Sequence, residues 1–180
     1  IDELIQLAKE GETRRIAVAA AADRAVLSAI KDAMQQGIVK PVLVGDEGLI
    51  REIANDIHMP LDDVRIEHEA DDAQACRKAV ALIKNGEAEV LMKGLVATAM
   101  ILKAVLDKEN GLRKGSTLSH FALFESPYYH KLIGITDAAM NVAPEFQDKV
   151  AIVKNAVEAM RGVGVKNPRV AILGPLETIN

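Results

Sequence analysis

The sequence predicts an α/β fold with an open, mainly parallel sheet and one antiparallel hairpin. Over residues 15–108, short apolar runs alternate four times with amphipathic segments that carry apolar residues every three or four positions. Apolar residues make up 49% of the chain and aromatic residues only 3%, a composition that suits helices packed on a buried parallel sheet. Two further apolar runs enclose a turn-forming segment and predict the hairpin.

Each element of the alternating part has a local signal. Buried strands are predicted at residues 15–21, 41–45, 64–68 and 89–92. Helices are predicted at residues 1–9, 23–37, 46–57, 71–86 and 97–108. Asp23, Asp46 and Asp71 stand where three of these helices begin, and an aspartate there accepts a hydrogen bond from a free backbone N–H group.

The hairpin is predicted from residues 121–124 and 132–135, with a turn over residues 125–129. We expect it to add an antiparallel pair to the otherwise parallel sheet, a common mixed arrangement. If the two runs pair, the polar residues before the first and after the second come together at one sheet edge.

The last part of the chain predicts a helix and one more strand. Pro144 fits the first turn of the helix, because its missing N–H group has no partner there in any case. Residues 169–173 predict a buried strand. We therefore expect a first α/β domain over residues 1–141 and the beginning of a second over residues 142–180.

Charge and composition narrow the range of partners. The net charge of −4 argues against nucleic acid, since proteins that bind the phosphate backbone usually carry a basic surplus. The longest apolar run, residues 16–22, is too short to span a membrane. Cys76 is the single cysteine, which excludes a disulfide within the chain and favours a reducing, cytoplasmic location; its Ala-rich helical surroundings favour a small buried residue.

Ligands of open α/β sheets bind beyond the carboxyl ends of the strands, beside helix N-termini. There, Lys93 offers charge, Gly94 allows close backbone approach and Thr98 adds a hydroxyl at a helix start. Lys103 is a second cation one and a half turns farther on. These residues predict an anion site. The alternative is that Lys93 is merely solvated and Thr98 is only a cap.

The ends of the hairpin gather a second polar group. Ser119, Thr136 and Asn141 are neutral donors, whereas Asp137 would repel a phosphate and is more suited to capping the turn, orienting a lysine or taking a proton. His120 begins a strand, where a histidine is more often structural than catalytic. Spacing alone supports no Ser-His-Asp triad.

Two tempting motifs fail on inspection. Residues 111–117 look like a nucleotide phosphate loop, but a lysine precedes the glycine where that motif needs Gly-Lys-Ser/Thr. His58 and His68 have no partners at metal-ligand spacing, so no metal site is predicted.

Several segments together resemble the phosphate acyltransferases, in particular phosphate butyryltransferase and phosphate acetyltransferase. The matching segments are PVLVGD at 41–46, LMKGLVAT at 91–98, LKAVLDKENGLR at 102–113, LSHFALFE at 118–125, TDAAMN at 136–141 and VAILGPLETIN at 170–180. They occur in the order found in the family and cover the whole chain.

The resemblance implies a fold similar to the isocitrate and isopropylmalate dehydrogenases, with two α/β domains. It implies transfer of a short-chain acyl group between coenzyme A and orthophosphate as substrates, without a permanently bound cofactor, by an enzyme that commonly self-associates. The resemblance implies catalytic roles for Lys93 and Lys103. The residues that it implies as binding phosphate or acyl phosphate are Gly94, Thr98, Ser119, His120, Thr136, Asp137 and Asn141.

Family members continue beyond the residues present here, with a Ser-Arg element and an aspartate that acts as base on the thiol. We therefore expect an incomplete site, and a chain that is inactive alone. One alternative is a non-catalytic α/β module that binds a small phosphorylated ligand. A dehydrogenase of the related fold ranks lower, because the dinucleotide fingerprint is missing.

Overall fold

The computed structural model describes residues 2–115 and 117–174. Within them the helices are α1 Asp2–Glu10, α2 Arg24–Gln35, α3 Glu47–Asp56, α4 Asp72–Lys84, α5 Thr98–Val105 and α6 Phe146–Gly162. The strands are β1 Arg14–Ala19, β2 Val39–Gly45, β3 Arg65–His68, β4 Val90–Lys93, β5 Ala122–Ser126 and β6 Tyr129–Ile135. The predicted contributions of residues 175–180 and of Ile1 lie outside this described part.

The chain divides into two compact units, residues 2–114 and residues 115–174. The first unit holds a parallel sheet of strand order β3-β2-β1-β4, which confirms the predicted α/β architecture. The chain fills one side of β1 with β2 and β3 and then crosses to the other side with β4. The order therefore reverses between β1 and β4, and this switch point is where open α/β sheets bind ligands.

Both faces of this sheet are covered. Ile16 and Val18 of β1 belong to a buried cluster with residues of α2 and α3, whereas Ala17 and Ala19 belong to a cluster with residues of α4 and α5. Alternate residues of a strand point to opposite faces, so a sheet buried on both sides needs a continuous apolar run. Cys76 of α4 is fully buried, and burial is the main reason that the pKa of its thiol is raised.

The predicted aspartate caps are confirmed. The carboxylates of Asp23, Asp46 and Asp71 accept from backbone N–H groups of the first turns of α2, α3 and α4 at 3.0, 3.1 and 2.8 Å. Helix α5 is shorter than predicted and ends at Val105. The reason is Asp107, whose carboxylate accepts from the N–H groups of two following residues at 3.0 and 2.7 Å and so folds the chain into a turn.

The second unit contains the hairpin, and the prediction that it joins the parallel sheet was wrong. β5 and β6 form a two-stranded antiparallel sheet of their own. One contact of this sheet lies within the same unit: a Cβ atom on Gly134 would lie 2.7 Å from the ring of Phe121 and 3.3 Å from the sulfur of Met160. The turn is also tighter than predicted, because Pro127 and Tyr128 alone lie between the strands.

Two predictions after the hairpin need correction. Pro144 lies before α6, not in its first turn, because Glu145 is the N-cap and forms a capping box with Asp148. Residues 169–173 form no strand, and Ile172 and Leu173 are 81% and 91% exposed. A strand needs a partner for its backbone groups, and none of the described strands pairs with this run. The predicted boundary between residues 141 and 142 stays a prediction.

No helix in the described residues is long and apolar enough to cross a membrane.

Candidate functional site

The switch point of the parallel sheet is closed by backbone contacts at the ends of β1 and β4. The N–H group of Gly94 donates to Ala19 O at 2.8 Å, and that of Leu95 donates to Ala20 O at 3.2 Å. A Cβ atom on Gly94 would lie 2.1 Å from Ala20 O and 2.5 Å from Ala19 O. The close approach that this glycine permits is therefore to the backbone at the end of β1.

Lys93 is the last residue of β4, and its side chain folds over its own loop. The ammonium donates to the carbonyl oxygens of Val96 at 2.8 Å and Gly94 at 3.2 Å. An ammonium has three protons, so one remains without an acceptor among the residues that the structure describes. Lys93 thus fixes the shape of the segment that leads into α5 and keeps a positive charge beside it.

The N-terminus of α5 lacks the side-chain cap that α2, α3 and α4 possess. Its N-cap is Ala97, which forms no such hydrogen bond, and its first turn carries no acidic residue. Thr98 is the first residue of the helix, so the alternative role of a cap does not apply to it. Free N–H groups and the helix dipole favour an anion at this position.

Lys103 lies in the last turn of α5 and is exposed. Thr98 precedes it by five residues, which places the two about 140° apart around the helix axis. The two side chains therefore lie on different sides of α5, and no hydrogen bond joins Lys103 to the first turn of the helix in the described residues. The uncapped N-terminus and the nearby charge of Lys93 are the features here that suit a phosphate dianion.

In the second unit, the predicted polar residues at the ends of the hairpin do come together. The hydroxyl of Thr136 donates to His120 O at 2.5 Å, and the N–H group of His120 donates to the Asp137 carboxylate at 3.2 Å. The amide nitrogen of Asn141 donates to Leu118 O at 3.0 Å and also to Asp137. These bonds tie the segment before β5 to the segment after β6.

Asp137 is the centre of this network. Besides Asn141 and His120, the N–H groups of Ala139 and Met140 donate to it at 3.4 and 3.0 Å. Burial alone would raise the pKa of this carboxyl, but the hydrogen bonds from Asn141 and the three backbone groups outweigh burial and lower it. The carboxylate therefore stays ionised and caps the turn, one of the roles that its sequence position indicated.

The other two predicted residues differ in their surroundings. The Nδ1 atom of His120 is buried and has no hydrogen-bond partner among the described residues. Ser119 Oγ accepts from the amide nitrogen of Asn155 at 3.0 Å. Sequence reasoning missed Asn155. It lies on α6 seven residues after Asp148, which accepts from the hydroxyl of Thr117 at 2.9 Å. Polar residues two helical turns apart were the available signal.

Of the predicted residues, Lys93, Gly94, Thr98 and Lys103 belong to the first unit and the other five to the second. Within residues 2–115 and 117–174, no group of three or more His, Cys, Asp or Glu side chains is arranged to hold a metal ion.

The sequence model of one protein family, described as phosphate acetyl/butaryl transferase, matches residues 1–76 and 66–177. The chain belongs to this family. Its similarity to curated members is high: it is 45% identical over 179 residues to the phosphate butyryltransferase of Clostridium beijerinckii and 34% identical over 178 residues to the phosphate acetyltransferase of Rhizobium meliloti. Each alignment covers 99% of this chain but only 59% and 56% of those relatives.

Solved structures agree with the fold. A branched-chain phosphotransacylase from Enterococcus faecalis superposes with a TM-score of 0.77 at 28% identity, over 93% of this chain and 58% of that one. A phosphotransacetylase from Streptococcus pyogenes superposes with a TM-score of 0.74 at 18% identity, which supports the fold alone. The resemblance drawn from short segments is thereby confirmed, and the chain spans slightly less than 60% of the length of most of these relatives.

Proposed function

We propose that the protein transfers a short-chain acyl group between coenzyme A and orthophosphate, so that acyl-CoA and phosphate give acyl phosphate and CoA. The observation that carries this proposal is the similarity to a phosphate butyryltransferase along 99% of the chain. An oxygen of phosphate attacks the thioester carbonyl carbon, the C–S bond breaks, and the thiolate leaves and takes up a proton. Such a site must hold a dianion and stabilise an oxyanion.

The first unit supplies groups for the anion. The donors are the free N–H groups of α5, the Thr98 hydroxyl and the Lys103 ammonium. The N–H groups at the helix N-terminus and the ammonium also compensate the charge of a dianion. Lys93 contributes charge and keeps the segment before α5 in place through Gly94 O and Val96 O. In this proposal Lys93 and Lys103 stabilise negative charge in the transition state, and Thr98 binds phosphate. Gly94, whose N–H group is bonded to Ala19 O, contributes by letting the ends of β1 and β4 approach each other.

The second unit supplies a further set of groups. Ser119, Thr136 and Asn141 are neutral donors, which can bind a phosphate without a fixed charge. Asp137 receives four donors, so its own charge is largely compensated before an anion arrives. This supports a binding and orienting role for Asp137 and a backbone role for His120, whose N–H and C=O groups both take part in the network.

The decisive experiment uses the complete gene product. We expect phosphate-dependent release of free thiol from acetyl-, propionyl- or butyryl-CoA, followed with a thiol-reactive dye. Lys103→Ala should lower kcat/KM for phosphate about tenfold or more, because a charge-assisted hydrogen bond in the transition state is lost. Lys108→Ala, which removes an exposed lysine three residues beyond the end of α5, is the matched control. Absence of thiol release with all three substrates would refute the proposal.

One observation favours a second candidate, a non-catalytic module that binds a small phosphorylated ligand. The N-terminus of α5 has no side-chain cap and no acidic residue in its first turn, so it favours an anion whether or not a reaction follows. Calorimetry with acetyl phosphate and with coenzyme A, beside the thiol assay, separates the candidates, since the module binds without turnover. We also propose self-association, which sedimentation of the complete gene product would test.

A further inference from the structure

We propose that Asn155 is a positioning residue that holds the hydroxyl group of Ser119 so that its proton is donated to phosphate. The inference rests on the proposed function, because it takes Ser119 as one of the groups that bind phosphate. Both residues belong to the unit of residues 115–174, so their contact lies within one compact body.

The orientation of the Asn155 amide is fixed by its second contact. Its nitrogen Nδ2 lies 3.2 Å from Thr117 O and 3.0 Å from Ser119 Oγ. A backbone carbonyl oxygen only accepts hydrogen bonds, so the atom that faces Thr117 must be the NH2 group and not the amide oxygen. The same NH2 group then donates its other proton to Ser119 Oγ.

Ser119 is therefore an acceptor toward Asn155, and its own proton must point elsewhere. Among the residues that the structure describes, this proton has no acceptor. A hydroxyl whose lone pair receives a hydrogen bond becomes a stronger donor through its own O–H group, since hydrogen bonds in series polarise one another. An unprotonated phosphate oxygen, which can only accept hydrogen bonds, is the complementary partner.

Helix α6 supports the segment of residues 117–119 at two levels. Asp148 accepts from the Thr117 hydroxyl at 2.9 Å and also from the N–H group of Glu145, the N-cap of the helix. Asn155 lies two helical turns farther on and binds Thr117 O and Ser119 Oγ. Asp148 thus holds the side chain of Thr117, and Asn155 is the residue that contacts the Ser119 hydroxyl group.

The test measures the KM for phosphate and for acyl-CoA in the complete gene product. Asn155→Ala should raise the KM for phosphate about three- to tenfold, as expected for loss of one neutral hydrogen bond, and leave the KM for acyl-CoA within twofold. Asn155→Asp should raise it further, because the carboxylate accepts the Ser119 proton and adds repulsion. Gln147→Ala, which removes another exposed amide of α6, should change neither constant.

A double-mutant cycle separates positioning from general support. If Asn155 acts through Ser119, Asn155→Ala should have no further effect on the KM for phosphate in a Ser119→Ala background. The inference would be overturned if the two substitutions raised the KM for phosphate independently, so that their effects multiplied in the double variant. It would also be overturned if Asn155→Ala behaved like Gln147→Ala.

If the wild-type protein releases no thiol, the proposed acyl transfer fails separately, and calorimetric binding of inorganic phosphate by the same variants decides on Asn155. The positioning role is supported if Asn155→Ala weakens phosphate binding in the wild-type background but not in a Ser119→Ala background. Unchanged or undetectable phosphate binding refutes it.

Discussion

Gly94 gives the sharpest test of how the switch point is built. An alanine Cβ atom here would lie 2.1 Å from Ala20 O. Cβ atoms essentially never approach another heavy atom more closely than 3.0 Å, so the two backbone segments would have to separate by about 0.9 Å. The neighbours are backbone atoms, so the movement disrupts the hydrogen bonds from Gly94 to Ala19 and from Leu95 to Ala20. Overpacking costs about 1–3 kcal/mol and each lost hydrogen bond about 0.5–1.5 kcal/mol. We expect Gly94→Ala to lower the free energy of unfolding by about 2–6 kcal/mol.

Urea unfolding followed by circular dichroism measures this loss. Gly162→Ala at the end of α6 is the matched control, because its Cβ atom would meet nothing within 4 Å. That variant should be neutral or more stable by up to about 1 kcal/mol, since glycine is a poor helix residue. A Gly94→Ala protein within about 0.5 kcal/mol of the wild type would show that the strand ends are not packed as described.

Substitutions at three further positions probe the site. Asp137→Asn should lower stability at pH 7 and flatten its decline below about pH 4, because the carboxyl pKa is lowered in the folded state and its contribution is lost on protonation; urea titrations across the acid range test this. Thr136→Val removes the bond to His120 O and should cost about 0.5–1.5 kcal/mol in thermal or urea unfolding. Ala97→Asp should stabilise α5 by about 0.5–1 kcal/mol yet raise the KM for phosphate, and Ala97→Ser should raise it less, because serine occupies one N–H group without adding a negative charge.

The fold was largely predictable because its signals are local. Asp23, Asp46 and Asp71 cap their helices through residues only three positions away, a relation visible in the sequence. Residues 169–173 are as apolar as the predicted strands of the first unit but form no strand. A strand needs a second strand to pair with, and a short stretch of sequence does not show whether one lies beside it. The separate sheet of the hairpin was missed for the same reason.

In the candidate site, too, the features set by local sequence were predictable and those set by packing were not. The place of Lys93 at a strand end followed from the strand pattern and the topology of open sheets. The direction of its ammonium did not, because a flexible stem turns toward whichever carbonyls lie near, here Gly94 O and Val96 O. Asn155 could not be paired with Ser119 beforehand, since 36 residues separate them and only the packing of α6 brings them together.

The hydrogen bonds also rank the neutral donors of the second unit. The Thr136 proton is given to His120 O, and both Asn141 protons are given to Leu118 O and Asp137, so a phosphate must displace existing bonds to reach them. The Ser119 proton has no described acceptor and can be donated without such a loss. Ser119→Ala should therefore raise the KM for phosphate more than Thr136→Val does. The opposite order in the thiol-release assay would mean that the network opens when phosphate binds and that its resting bonds do not set the affinity.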